Sequence, residues 1–266
     1  MSLTSEAVWR DVQAIRRQVP LVHNITNFVA MEFTANTLLA LGASPVMAHA
    51  VEEVREIVAI SQALVINIGT LSEPWIHAMR EALREASQRK IPVVLDPVGA
   101  GASRLRTRTV RELLEVGAPT VIRGNASEIL ALGSDEQKTR GVDSQATSEQ
   151  AHDVARALSA AHGCVVTVSG AVDLVVEGSR EFRVANGSPL MARVTAMGCA
   201  ASALTGAFIA CNPSRLEAAA HAMAVMGIAG ELAAQRAQGP GTLPPHFLDT
   251  LHLLSESEIR ATLREV

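Results

Sequence analysis

The chain has 266 residues, 48% hydrophobic and 19% charged, with a formal net charge of −4. That size and balance support a buried core and exclude a disordered chain. The negative charge gives no electrostatic footprint for nucleic acid or an anionic membrane, and 3% aromatics with no Tyr leave no stacking platform for single strands.

In chain order, 5–18 reads as an amphipathic helix whose charges exclude a signal peptide, followed by a short strand over 21–25. A helix is expected over 28–41, a Gly42-Ala43-Ser44-Pro45 turn, a strand over 46–48 and a helix over 51–61. The run 63–68 is a buried-type strand, and Pro74 opens the next helix, where its fixed φ is favoured. Further apolar strands are expected at 92–95, 120–122 and 164–168, the last after a helix over about 148–161. Short apolar runs alternating with helices predict an α/β fold: a mostly parallel central sheet covered by helices on both faces.

After Gly170 the rhythm changes. Residues 174–177 and 180–185 flank Gly178-Ser179 as an antiparallel hairpin on the sheet edge. Ala-rich helices are expected at 199–211 and 214–236, and Gly239-Pro240-Gly241 breaks the chain before a last helical stretch. Residues 194–211 carry no charge and approach membrane-span length, but their small residues and the Asn212-Pro213 stop fit a buried core helix better. The polar passage 133–150 is the only linker-like segment, and no repeat or boundary interrupts the pattern, so 1–266 is read as a single domain. Three cysteines, Cys164, Cys199 and Cys211, form no C-x-x-C pair, which favours a reduced cytoplasmic protein over a disulfide scaffold or zinc site.

Ligands of open α/β sheets bind outside the carboxyl ends of the strands. Those exits carry His23 to Asn27, Met47, Asn67 to Thr70, Asp96 to Gly101, Arg123 to Glu128 and Ser169-Gly170. Gly198-Cys199 joins them at a helix start, where free N–H groups and the dipole favour an anion and lower a thiol pKa. Neither G-x-G-x-x-G opening a helix nor a P-loop is present. Each piece also has a plainer role. Asn125 and Glu128 fit a capping box, Asp96-Pro97 a turn, Arg123 a surface charge, and Cys199 an inert buried thiol. Met47, His221 and His246 suit the core or scaffold.

Together on one rim, two acids, an arginine and an anion-friendly helix start suit phosphoryl transfer. Asp96 and Glu128 could serve Mg²⁺ directly or through water, Arg123 the transferred phosphoryl, and Gly198 its oxygens through backbone N–H groups. A loose transition state needs the alcohol positioned more than deprotonated, which tolerates Cys199 as an unusual base.

The segments His23–Asn27, Thr34–Met47, Asn67–Leu71, Leu95–Val98, Ile122–Glu128 and Gly198-Cys199 resemble the hydroxyethylthiazole kinases of the thiamine pathway. The resemblance runs from about residue 8 to Leu254 and implies a ribokinase-like fold. It implies phosphorylation of 4-methyl-5-(2-hydroxyethyl)thiazole by ATP with Mg²⁺, in a homotrimer with sites between subunits. Carried over by motif, Met47 contacts the thiazole and Ala196 lies beside it, with Asn24, Gly69 and Thr70 lining the pocket partly from a neighbouring chain. Arg123 and Ser169 contact ATP, and Asp96 and Glu128 serve metal and phosphates. Cys199 stands where superfamily relatives carry a catalytic Asp.

Two positions depart from the family pattern: Ala196-Met197 stands for Gly-Thr, adding a methyl near the alcohol, and Ser169 stands for Thr. The competing readings are a related kinase for another small alcohol such as a pyrimidine methanol, a non-catalytic binding protein, and a thiol hydrolase. Met47 and Cys199 argue against the first, and the set Asp96, Arg123, Glu128 and Gly198 against the second. No His is placed to pair with Cys199 for the third.

Overall fold

The computed structural model describes residues 3–133 and 144–266, and within 144–149 the backbone only. The order begins α1 (Ser5–Gln18), β1 (Leu21–Ile25), α2 (Met31–Leu41), β2 (Ser44–Val46), α3 (Val54–Ile60), β3 (Ala63–Asn67), α4 (Glu73–Arg89) and β4 (Val93–Asp96). It continues α5 (Arg104–Val116), β5 (Val121–Asn125), α6 (Ala126–Gly133), α7 (Ser144–His162), β6 (Val165–Ser169), β7 (Asp173–Glu177) and β8 (Arg180–Val184). A 3₁₀ turn at Pro189–Arg193 leads into α8 (Met197–Cys211), α9 (Arg215–Arg236), α10 (Leu243–Leu253) and α11 (Glu256–Thr262). The core of the linker-like passage, 134–143, lies outside the described residues.

The strands form one sheet in the order β2-β1-β3-β4-β5-β6-β7-β8. Pairing is parallel from β2 through β6 and antiparallel for β6-β7-β8, so the expected edge hairpin is present. Two helix starts fall later than expected. Residues 28–30 close a turn through Ala30 N–H to the Asn27 carbonyl, and 51–53 close one through Glu53 N–H to the Ala50 carbonyl. The strand expected at 46–48 is displaced to 44–46, because Ser44 to Val46 pair with Leu21 to His23 and Met47 lies just past the ladder.

Strand alternation divides the side chains between two layers. Leu64, Ile66, Val93 and Leu95 pack under α3, α4 and α5, and Ile122 and Val166 pack with α6 and α7. Val22, Val65, Val94, Val121 and Val165 face the other way, into a core built with α1, α8 and α9. Two-residue steps along that second face lead from Val22 to Asn24, Val65 to Asn67, Val94 to Asp96 and Val121 to Arg123. Ser169 is reached from Val165 by two such steps. The polar exits therefore share the side covered by α8.

That helix lies close on the sheet because its residues are small. A Cβ on Gly206 would stand 2.8 Å from Val65 and 3.1 Å from Val22, so any side chain there would lift α8. Residues 200–209 are buried along the whole helix, which makes this apolar run a core element. Among the described residues, Arg215–Arg236 alone is long and apolar enough to cross a membrane, and it too is packed inside the domain. His221 serves the scaffold: with Asn212 it bonds Asp11 Oδ2, each at 2.6 Å, between α1, α8 and α9.

Candidate active site

Asn67, the last residue of β3, is the hub. Its Nδ2 donates to Asp96 Oδ2 at 2.8 Å and to the Cys199 sulfur at 3.3 Å. Its Oδ1 accepts from Asn27 Nδ2 at 2.8 Å and from Gly69 N–H at 3.0 Å. Asn27 also donates to the Cys199 sulfur at 3.3 Å. Gly69 has no alternative, because a Cβ there would meet the Asn27 side chain at 2.6 Å. The Thr70 hydroxyl accepts from Phe28 N–H at 3.2 Å and pins the turn after β1 against this loop.

Asp96 is almost wholly buried, and Ser202 of α8 donates to the same Oδ2 at 2.7 Å. Burial pushes its carboxyl up to about 6, against the opposing pull of Arg123 and these hydrogen bonds. Arg123, buried in β5, donates from Nη1 to the Gly198 carbonyl at 2.9 Å, while its Nε is buried without a hydrogen-bond partner. A buried guanidinium held at the start of α8 through Nη1, with a donor left unsatisfied, is suited to an anionic oxygen.

The first bond of the α8 ladder runs from Ala200 N–H to the Ala196 carbonyl, so the N–H groups of Met197, Gly198 and Cys199 precede it. Gly198 is thus inside the first turn, and the turn residue is Ala196, held at φ 69° and ψ −7°. Gly198 keeps its place for closeness: a Cβ would stand 3.3 Å from Arg123 Nη1. The expectation of a lowered thiol pKa is overturned. Burial, then the neighbouring Asp96 charge, push Cys199 upward, and together they outweigh the two amide donors and the Arg123 charge.

Glu128 and Asn125 form the reciprocal capping box at the start of α6. Glu128 N–H donates to Asn125 Oδ1 at 3.0 Å, and Asn125 N–H to Glu128 Oε2 at 2.8 Å. The second oxygen, Oε1, accepts from Gly99 N–H at 2.8 Å. Glu128 also acts electrostatically on Asp96, so the two acids share one neighbourhood. No group of three ligating side chains occurs among the described residues. A pair of carboxylates already occupied by backbone and amide donors fits a hydrated ion that arrives with phosphate oxygens, more than a closed protein cage.

Beside Arg123 and Gly198 opens a cavity of about 760 Å³, lined also by Ser169, Gly170, Asp173, Met191, Met223 and Met226. Its size suits a nucleotide. Ser169 Oγ donates to the Gly124 carbonyl at 3.3 Å. Asp173 accepts from Gly170 N–H at 2.9 Å and is pushed up to about 6, by burial first.

The structure therefore gathers Asp96, Cys199 and Gly69 around Asn67, and Arg123 against Gly198 beside the cavity. Asn24 lies on β1 in register with Val65 of β3, and Met47 lies just past the β1–β2 ladder. Asn24 Nδ2 donates to the Val22 carbonyl at 2.9 Å, and its buried Oδ1 has no partner. Asn27 and Asn67 were visible as strand exits without a role, whereas Ser202, Asp173 and Arg106 carry no motif that marks them.

The family model for the hydroxyethylthiazole kinase family matches residues 12–257. The chain belongs to this kinase family. The kinase is 57% identical to the hydroxyethylthiazole kinase of Syntrophus aciditrophicus, covering 100% of this chain and 99% of that one. It also resembles the solved structure of the hydroxyethylthiazole kinase protein from Pyrococcus horikoshii, with 43% identity, TM-score 0.90, and 98% and 99% of the two chains covered. A ribokinase-like superfamily protein from Enterococcus faecalis shares the fold at 13% identity and TM-score 0.70, over 97% and 96% of the chains. The kinase thus has the ribokinase-like α/β architecture.

Proposed function

We infer that this chain phosphorylates the alcohol of 4-methyl-5-(2-hydroxyethyl)thiazole with the γ-phosphoryl group of ATP, as a step of thiamine biosynthesis or salvage. The observation that carries the reading is the meeting of the Asn67–Asp96–Cys199 cluster with Arg123 at the first turn of α8, in a member of this kinase family. ATP enters the cavity beside Ser169, with its phosphates running toward Arg123 and the N–H groups of Met197, Gly198 and Cys199. Magnesium arriving with the nucleotide would supply charge neutralisation on its phosphate oxygens, with Asp96 and Glu128 holding it through water.

The acceptor lies on the opposite side of Cys199, against Gly69, Thr70 and Asn24, with Met47 and Ala196 on the thiazole. The neutral Cys199 thiol, fixed by Asn27 and Asn67, orients the alcohol oxygen in line with the phosphoryl group. A loose transition state leaves the hydroxyl proton acidic only late, so the demand for a base is weak and falls on Asp96, not on the neutral thiol. The chain works as one kinase domain in the cytoplasm and assembles as a homotrimer with sites between subunits. Phe28 and Val29, 67% and 62% exposed beside Thr70, support such a contact.

An ATP-consumption assay with hydroxyethylthiazole beside hydroxymethylpyrimidine tests this reading. Turnover with the thiazole and little with the pyrimidine is expected. No turnover with either would leave a nucleotide-binding protein, and preference for the pyrimidine would assign a different kinase.

A further inference from the structure

Arg106, on the first turn of α5, spends its guanidinium on backbone carbonyls. Nη1 donates to the Val98 carbonyl at 2.6 Å and more weakly to the Ile68 carbonyl at 3.5 Å, and Nη2 donates to the Gly69 carbonyl at 2.6 Å. It therefore joins two separate strand exits, the 68–70 loop after β3 and the 97–101 loop after β4. Two features show a built arrangement. Gly99 has φ +71°, and a Cβ there would stand 2.8 Å from Arg106 Nη1, so the guanidinium occupies space that any side chain at 99 would fill. In addition, two of the three peptides whose carbonyls Arg106 reaches are held from their far side by the candidate site. The 98–99 peptide accepts from Arg106 through its carbonyl and donates its N–H to Glu128 Oε1 at 2.8 Å. The 68–69 peptide does the same between Arg106 and Asn67 Oδ1.

A cation on the carbonyl side and an anion on the N–H side both align with the peptide dipole, so the bonds reinforce one another. Glu128 is placed on the nucleotide side and Asn67 on the alcohol side. We propose that Arg106 is a positioning residue for phosphoryl transfer, fixing the acceptor loop at Gly69 relative to the Gly99 loop on which Glu128 of α6 is bonded. This rests on the functional reading above. The planar fork is essential to it, because two in-plane donors reach two loops and a single ammonium does not.

The test is R106A and R106K in the full chain, beside wild type. It compares kcat, KM for hydroxyethylthiazole, affinity for a non-hydrolysable ATP analogue, and rescue by methylguanidinium or methylammonium at matched ionic strength. Misplacement by about 1 Å costs on the order of 100-fold in rate. Both variants should therefore lose at least about tenfold in kcat and raise KM for the thiazole, while nucleotide affinity stays within about threefold. Methylguanidinium should restore R106A, methylammonium should not, and neither cation should change wild type. Wild-type kinetics in R106A, rescue by either cation alike, or a loss spread equally over nucleotide affinity and thermal stability would overturn the role of Arg106. A wild type inert toward the thiazole would overturn both the functional reading and this one.

Discussion

Asn67 Nδ2 stands 2.8 Å from Asp96 Oδ2, an oxygen that also accepts from Ser202, yet burial still pushes this carboxyl up to about 6. Two hydrogen bonds and Arg123 fall short of repaying the lost hydration. The unfolded value is roughly 3.9, so between about 4 and 6 the folded state holds the proton the unfolded state has released. Stability from this group therefore falls as pH rises through that window. Asp96→Asn keeps an acceptor oxygen for both donors and removes the charge. It should gain stability relative to wild type at pH 8 over pH 4, by at most about 3 kcal/mol. Denaturant unfolding at the two pH values reads this, and equal differences at both would refute the burial argument. Wild-type turnover should rise through about pH 6 as Asp96 ionises, and the variant should lose turnover throughout.

Glu128 holds two backbone N–H groups with two oxygens. Glu128→Gln sets an amide N–H against one of those donors, at a cost of about 1–2 kcal/mol in unfolding free energy. If the carboxylate also serves the nucleotide's metal, KM for MgATP rises by at least about tenfold while thiazole affinity changes far less. Equal losses in both affinities would reduce Glu128 to a helix cap.

Ala196 pays for a left-handed backbone at the N-cap of α8. Ala196→Gly relieves that strain and gives up some unfolded-state restriction, a net gain of about 0.5–1 kcal/mol. It also removes the methyl expected beside the alcohol, so KM for the thiazole should fall or stay level. A lower melting temperature would contradict the φ argument, and a raised KM would contradict the placement of Ala196.

The layer pattern was legible in the sequence because strand alternation is local: Val65 to Asn67 and Val121 to Arg123 carry the buried face straight into the site. The strand exits and the helix start located Arg123, Gly198 and Cys199 before the resemblance did, and the geometry brings these together. Helix starts at 28 and 51 were misplaced because hydrogen bonds to the Asn27 and Ala50 carbonyls close turns there that apolar spacing does not reveal. The thiol expectation failed for a tertiary reason. A helix start is local, whereas burial comes with the folded core and the Asp96 charge from a strand more than a hundred residues away. Ser202 and Arg106 were illegible for the same reason: each matters through a partner that only the folded sheet supplies.

The central claim is that the first turn of α8 stabilises the transferred phosphoryl through its backbone, with Cys199 as a neutral positioning group. The most direct measurement is kcat of Cys199→Asp, with folding and ATP binding verified. Asn27 and Asn67 already aim their amide donors at this position, so a carboxylate is received without rearrangement. Beside Asp96 it would also be a stronger base than the thiol. The expected kcat is equal to wild type or higher. A folded, ATP-binding variant with kcat reduced by about 1,000-fold, the scale of a lost catalytic group, would contradict the claim.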